Sequence, residues 1–146
     1  LPDGCADWLL CLDVLEHLPD PLATLREGVR LLRPGGRVLV NLPNHFDWRG
    51  RLRVLRGAGI DSQHYFPGEP AWCYPHLRFF RSADAQALLA AAALQPVADL
   101  SSRHSSLPKA AWWRRLGAGG LLAALGRRWP DLLQPGFLLL ARKPAA

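Results

Sequence analysis

Methionine is absent from the 146 residues, and lysine occurs only twice. A translated chain starts with Met, so one that opens Leu1-Pro2-Asp3-Gly4 is expected to be a piece of something longer. That opening has no charged and no apolar segment and does not read as a signal peptide. No apolar run approaches the roughly 18 to 20 residues that a membrane-spanning helix needs, which excludes such a helix. The three cysteines, Cys5, Cys11 and Cys73, are too few and too irregular for a disulfide framework. An odd count without a secretory signal points to a reducing compartment, and so to the cytoplasm. Internal repeats and low-complexity tracts are also lacking.

What remains is an ordinary globular composition, 49% hydrophobic and 21% charged, sized for one domain. Net charge is +6, unevenly spread. Residues 1–43 hold six acids and four bases; residues 44–146 hold six acids and fourteen bases. Such a surface favours phosphates or an anionic membrane, or is simply solvated. The bases are scattered without a recognition helix or zinc pattern, so nucleic acid is not expected as a partner.

Ala6 to Leu12 is a nearly continuous apolar run that reads as a strand buried on both faces. Asp20-Pro21 then starts a helix, with Asp20 as cap and Pro21 in the first turn. Leu22, Leu25, Val29 and Leu32 form its apolar stripe. Pro34-Gly35-Gly36 reads as its stop, and Arg37 to Leu42 as a second strand. Strand, helix, strand with short connections predicts a parallel pair. Further on, Trp48 to Leu55 reads as helical and residues 57–76 as a long loop. Ser82 is expected to cap a helix reaching Leu94, followed by strands at Pro96 to Leu100 and Phe137 to Arg142. Two short amphipathic helices are expected within 107–129. Gly117-Ala118-Gly119-Gly120 reads as a helix stop between them.

The run Asp7 to His17-Leu18, then Asp20-Pro21, then Leu31-Leu32-Arg33-Pro34-Gly35-Gly36 and Val38 to Asn44 resembles a class I S-adenosylmethionine-dependent methyltransferase. The methionine-biosynthesis and ubiquinone-biosynthesis types are the branches it is most similar to. The resemblance covers most of residues 1–100 and the final strand. It implies an α/β fold: the C-terminal half of a Rossmann-like sheet, mostly parallel, with the last strand antiparallel. It implies a single partial domain, in which 45–81 and 101–134 are insertions or substrate-side loops. It also implies S-adenosylmethionine as cofactor, touched by Cys11, Leu12 and Asp13 at the first strand's tip. The family's glycine-rich loop and its ribose-holding acid are not in this chain; both belong to segments that would precede Leu1. Ala6 to Leu12 would then be an edge, to be covered by the missing half or by another chain.

Other residues carry two readings each. His17 and Glu16 suit either general-base work on an acceptor hydroxyl or shaping of the loop. His64, Cys73 and His76 give too few ligands for a closed zinc site, so no metal is expected. Trp48, Tyr65, Phe66, Trp72 and Tyr74 suit a substrate cover or a satellite core. Trp112, Trp113 and Trp129 with Arg114, Arg115, Arg127 and Arg128 suit peripheral membrane contact or a helix capping the sheet. The function expected is methyl transfer to a small-molecule or lipid-like acceptor, for which the truncated chain alone is incompetent. The alternative is a non-catalytic binding or membrane-surface module.

Overall fold

The computed structural model describes residues 1–60, 76–103 and 105–145. Four strands form one sheet: β1 (Ala6–Leu12), β2 (Leu32–Pro43), β3 (Gln95–Asp99) and β4 (Gly136–Arg142), in the order β1-β2-β4-β3. β1 and β2 are parallel. The last strand, β4, inserts between β2 and β3 and is antiparallel to both. Three strands thus share one direction and the last opposes them, the arrangement expected from the sequence.

Helix α1 (Pro21–Leu31) connects the parallel pair. The Asp20 side chain accepts from Ala23 N at 2.9 Å, satisfying one of the amides that a helix start leaves free. Leu25 is fully buried, and Gly28 lies so close to β1 that a Cβ there would meet the Leu9 side chain at 2.4 Å. α1 ends at Leu31, three residues before Pro34. Pro34-Gly35-Gly36 is therefore not the helix stop. It is an irregular opening of β2, where the register jumps from Ala6↔Leu32 to Trp8↔Arg37 and Gly35 adopts φ +78°.

β2 alternates, with Val38, Val40 and Leu42 buried; Phe137, Leu139 and Ala141 of β4 are buried beside them. Leu25 and Leu32, with Ala85 and Leu89 of α3 (Ser82–Ala91), join the same core. β1 departs from the expected two-sided burial. Only Cys11 is buried, while Trp8, Leu10 and Leu12 are 49%, 58% and 46% exposed. It is the sheet's apolar edge.

Helix α2 (Trp48–Leu55) is capped by Asp47, which accepts from Gly50 N at 2.8 Å. The remaining helices are α4 (Ala110–Arg115), α5 (Gly119–Arg128) and the single turn α6 (Pro130–Leu133), which the sequence did not announce. Gly117, at φ +83°, ends α4 as expected, but Gly119 and Gly120 open α5 instead of stopping a helix. No helix among the described residues is long and apolar enough to cross a membrane.

The start of α3 corrects the expected cap. Ser82 is the first helical residue, and its N–H donates to Asp131 Oδ1 at 2.6 Å. Asp84 reaches back instead, accepting from Arg81 N at 3.0 Å and from the Arg81 guanidinium at 2.9 and 3.0 Å. The guanidinium, then the amide, hold the Asp84 carboxyl below the usual range. A depressed carboxyl stabilises the fold above its unfolded value, about 3.9, and that contribution is lost as pH falls through the folded value. Asp84→Asn is therefore expected to lower Tm at pH 7, with the gap to the parent closing in melts recorded below about pH 4.

Candidate functional site

β1 and β2 run parallel, so their C-terminal ends open on one side of the sheet. In open α/β sheets that side is where ligands bind. Strand alternation turns Cys11 into the core, where burial pushes its thiol up, and turns Leu10 and Leu12 outward. At the tip, Asp13 adopts φ +51°, a conformation that aspartate tolerates better than most residues. Asn41 of β2 holds it twice: the Asn41 carbonyl accepts from Asp13 N at 3.2 Å, and the Asn41 Nδ2 donates to Asp13 Oδ1 at 2.8 Å. Leu12 and Asp13 border an open groove with Asn41, Pro43, Gly136 and Leu138. Of the three residues expected at the cofactor, Leu12 and Asp13 face this groove and Cys11 can offer only its backbone.

The chain then makes a 3₁₀ turn, Leu15–His17, that buries Glu16 completely. The Glu16 carbonyl accepts from Leu77 N at 2.8 Å and Arg78 N at 3.0 Å, which draws the segment ahead of α3 under the turn. His76 arrives with that segment, and His45 from the end of β2; both are buried. His45 Nε2 and His76 Nδ1 are 3.0 Å apart, the His17 and His76 rings lie 4.7 Å apart, and His17 Nε2 is 3.9 Å from Glu16 Oε1. Glu16, His17 and His76 each present one ligand atom, all within 4.8 Å of one another.

Neither Glu16 carboxylate oxygen accepts a well-formed hydrogen bond from the described residues. Burial raises its carboxyl above the usual range, against the pull of its own backbone amide and His17; Asp13 adds to the rise. A buried acid in that state needs a proton, a histidinium or a metal cation beside it. The arrangement can do two things. A carboxylate beside imidazoles can accept and pass a proton. Two imidazoles and a carboxylate are also the three protein ligands of an open, catalytic type of metal site.

Sequence reasoning weighed His17 and Glu16 singly and His76 only with His64 and Cys73, which lie outside the described residues. The structure assembles a different donor set from positions far apart in the chain. His45 was missed; its one signal is its place just after a parallel strand. Of the expected aromatic cover, Trp48 ties α2 down by donating from Nε1 to Ser106 O at 3.0 Å. Tyr65, Phe66, Trp72 and Tyr74 lie outside the described residues. Trp112 and Trp113 stand half exposed on α4, away from this cluster's elements.

Comparison with known proteins bears on the family and the fold. Over 98 residues the chain is 33% identical to the ubiquinone biosynthesis O-methyltransferase of Aeromonas salmonicida, covering 67% of this chain and 39% of that protein. The protein of the same name from Idiomarina loihiensis is 30% identical over 92 residues, covering 63% and 36%. The chain thus spans less than two fifths of the length of these relatives. Among solved structures, a S-adenosylmethionine-dependent methyltransferase of Thermotoga maritima superposes with a TM-score of 0.60 at 15% identity, covering 98% of this chain and 58% of that one. The [4+2]-cyclase SpnF superposes at 0.54 and 18% identity, covering 100% and 53%. At such identities the likeness shows the fold alone, and the cyclase illustrates that one fold hosts different chemistries. A family described as a methyltransferase domain matches residues 2–98, about two thirds of the sequence, and the chain belongs to that family.

Proposed function

We propose that this chain supplies the acceptor side of an S-adenosylmethionine-dependent methyltransferase that acts on a hydroxyl group of a small or lipid-like molecule. The observation that carries this reading is the cluster of buried Glu16 and His76 with half-buried His17, set one turn beyond the Leu12–Asp13 groove. The O-methyltransferase relatives support a hydroxyl acceptor. The groove fits one wall of a cofactor site: an outward strand tip, a strapped carboxylate and a roomy cleft. A glycine-rich strand-to-helix loop, the usual opposite wall, is not among these residues.

When bound, the cofactor supplies an activated methyl group on its sulfonium. The protein's work is alignment and proton management. Asn41 fixes Asp13 so that the groove wall is formed before any ligand arrives. The cluster takes the acceptor's hydroxyl proton onto an imidazole, and Glu16 stabilises the histidinium that results. His45, hydrogen-bonded to His76, fixes the orientation of that ring. A second reading of the same cluster has a divalent cation held by Glu16, His17 and His76 polarise the acceptor hydroxyl. The unsatisfied buried carboxylate favours it.

The exposed flank of β1 fits the same reading. Trp8, Leu10 and Leu12 present apolar surface for a further strand or another chain, and the matched region covers only 39% of the Aeromonas relative. Calorimetric titration of S-adenosylmethionine is expected to show binding by a version extended upstream and none by the 146 residues alone. Absence of binding by a well-folded extended version would overturn the enzyme reading. In the extended protein, Asn41→Ala is expected to weaken cofactor affinity about tenfold, as loss of a hydrogen bond to a charged group does. Glu16→Gln and His76→Asn are expected to leave that affinity intact and to lower turnover by about a hundredfold or more. Turnover that follows a single acidic limb in pH and ignores chelators identifies the proton acceptor. Turnover abolished by a chelator and restored by a divalent ion identifies the metal.

A further inference from the structure

The α4–α5 hairpin has no part in the methyl-transfer reading, yet its surface is built in an unusual way. The turn between the helices is closed by Gly117 N donating to Arg114 O at 3.0 Å and Ala118 N to Trp113 O at 3.0 Å. That reversal needs the positive φ of Gly117. It gathers Trp113, Ala118, Leu121 and Leu122 with Leu107 and Pro108 around one apolar depression. Trp112 packs edge-on against Trp113, with ring centroids 4.8 Å apart. Yet Trp112, Trp113, Leu116 and Leu121 remain 50%, 45%, 60% and 63% exposed.

The same two helices carry cations. Arg114 and Arg115 lie in the last turn of α4, Arg127 and Arg128 in the last turn of α5, and Lys109 just ahead of α4; all are exposed. Residues 100–130 contain no Asp or Glu at all. Helix dipoles account for arginines at helix C-termini. They do not account for four exposed large apolar side chains, nor for the absence of every acid. A helix pair that merely capped the sheet would turn its tryptophans inward. Exposed tryptophan and leucine on a helix pair that carries cations with long apolar stems and no acid match the interface of an anionic bilayer.

We propose that the α4–α5 hairpin docks on an anionic lipid surface. Trp112, Trp113, Leu116 and Leu121 enter the boundary between headgroups and acyl chains, and Lys109, Arg114, Arg115, Arg127 and Arg128 pair with lipid phosphates. The protein lies on the bilayer and does not cross it. This inference stands independently of the methyl-transfer reading, because it uses none of that site's residues.

The test is co-sedimentation of the full chain with vesicles of phosphatidylcholine alone and of phosphatidylcholine with phosphatidylglycerol. The expected result is binding to the anionic vesicles, weak binding to the neutral ones, and release by salt. Arg114→Gln with Arg115→Gln should weaken partitioning about 25-fold, about fivefold for each charge. Trp112→Ser with Trp113→Ser should weaken it too, with circular dichroism checking that the fold is kept because both side chains are only half exposed. Should the tryptophan pair disturb folding, Leu121→Gln tests the same contact from the other helix. Equal binding to both vesicle types, indifference to the substitutions, or no binding by the folded protein would each overturn the proposal. So would retention on single-stranded RNA with none on vesicles, which would reassign the cations to nucleic acid.

Discussion

Everything in this molecule hangs on β2. It is hydrogen-bonded on both sides, as β4 is, but it alone joins the parallel and antiparallel parts of the described sheet, parallel to β1 and antiparallel to β4. Its inward residues Val38, Val40 and Leu42 are at most 1% exposed and meet Leu25 from α1 and Phe137 from β4 in one core. Removing any one of these would leave a cavity whose cost is about 2–5 kcal/mol for a large aliphatic side chain. The same strand delivers both functional straps. Asn41 fixes Asp13 on one side, and the chain leaving Pro43 carries His45 into the buried cluster.

Much of this scaffold was legible in the sequence because it is governed by local rules. Asp20-Pro21 announces a helix start by capping chemistry, and Leu22, Leu25 and Val29 mark the inward face of α1, whereas Leu32, expected on the same stripe, is buried as the first residue of β2. The glycine clusters were harder. A Pro-Gly-Gly after an apolar stripe suits a helix stop, and nothing local says that the following strand begins early and absorbs the triplet as an irregularity. The cap of α3 shows the same limit. Ser82 is a better cap than Arg81 by propensity, but Asp84 bonds the Arg81 amide and guanidinium together and so moves the boundary by one residue.

The site was legible only in part, for a related reason. Leu12 and Asp13 are readable because a strand's C-terminal tip is defined by the strand itself. The partnership of Glu16, His17, His45 and His76 is not, since it depends on two backbone bonds from Leu77 and Arg78 to the Glu16 carbonyl. No periodicity encodes that contact. Cys11 is the converse case: a residue at the right position in the chain whose side chain the strand's twofold alternation sends to the core.

The buried polar groups separate structure from function. Asn44 donates to the Asp131 and Gln134 carbonyls, Asp47 caps α2, and the Ser101 hydroxyl accepts from Leu138 N; each fastens a loop to an element. The Ser106 hydroxyl and the Gln134 amide oxygen lack partners among the described residues, but both are neutral. Glu16 alone among these buried side chains is an acid with neither oxygen well hydrogen-bonded. Its burial disfavours the charged form and so opposes folding at neutral pH, which a fold selected only for stability would avoid by an apolar residue. Natural chains break local rules of this kind mainly where function compensates. His17 and His76 beside that carboxylate, with His45 bonded to His76, are what makes the compensation chemical: the two neighbouring imidazoles can share its proton or a cation with it.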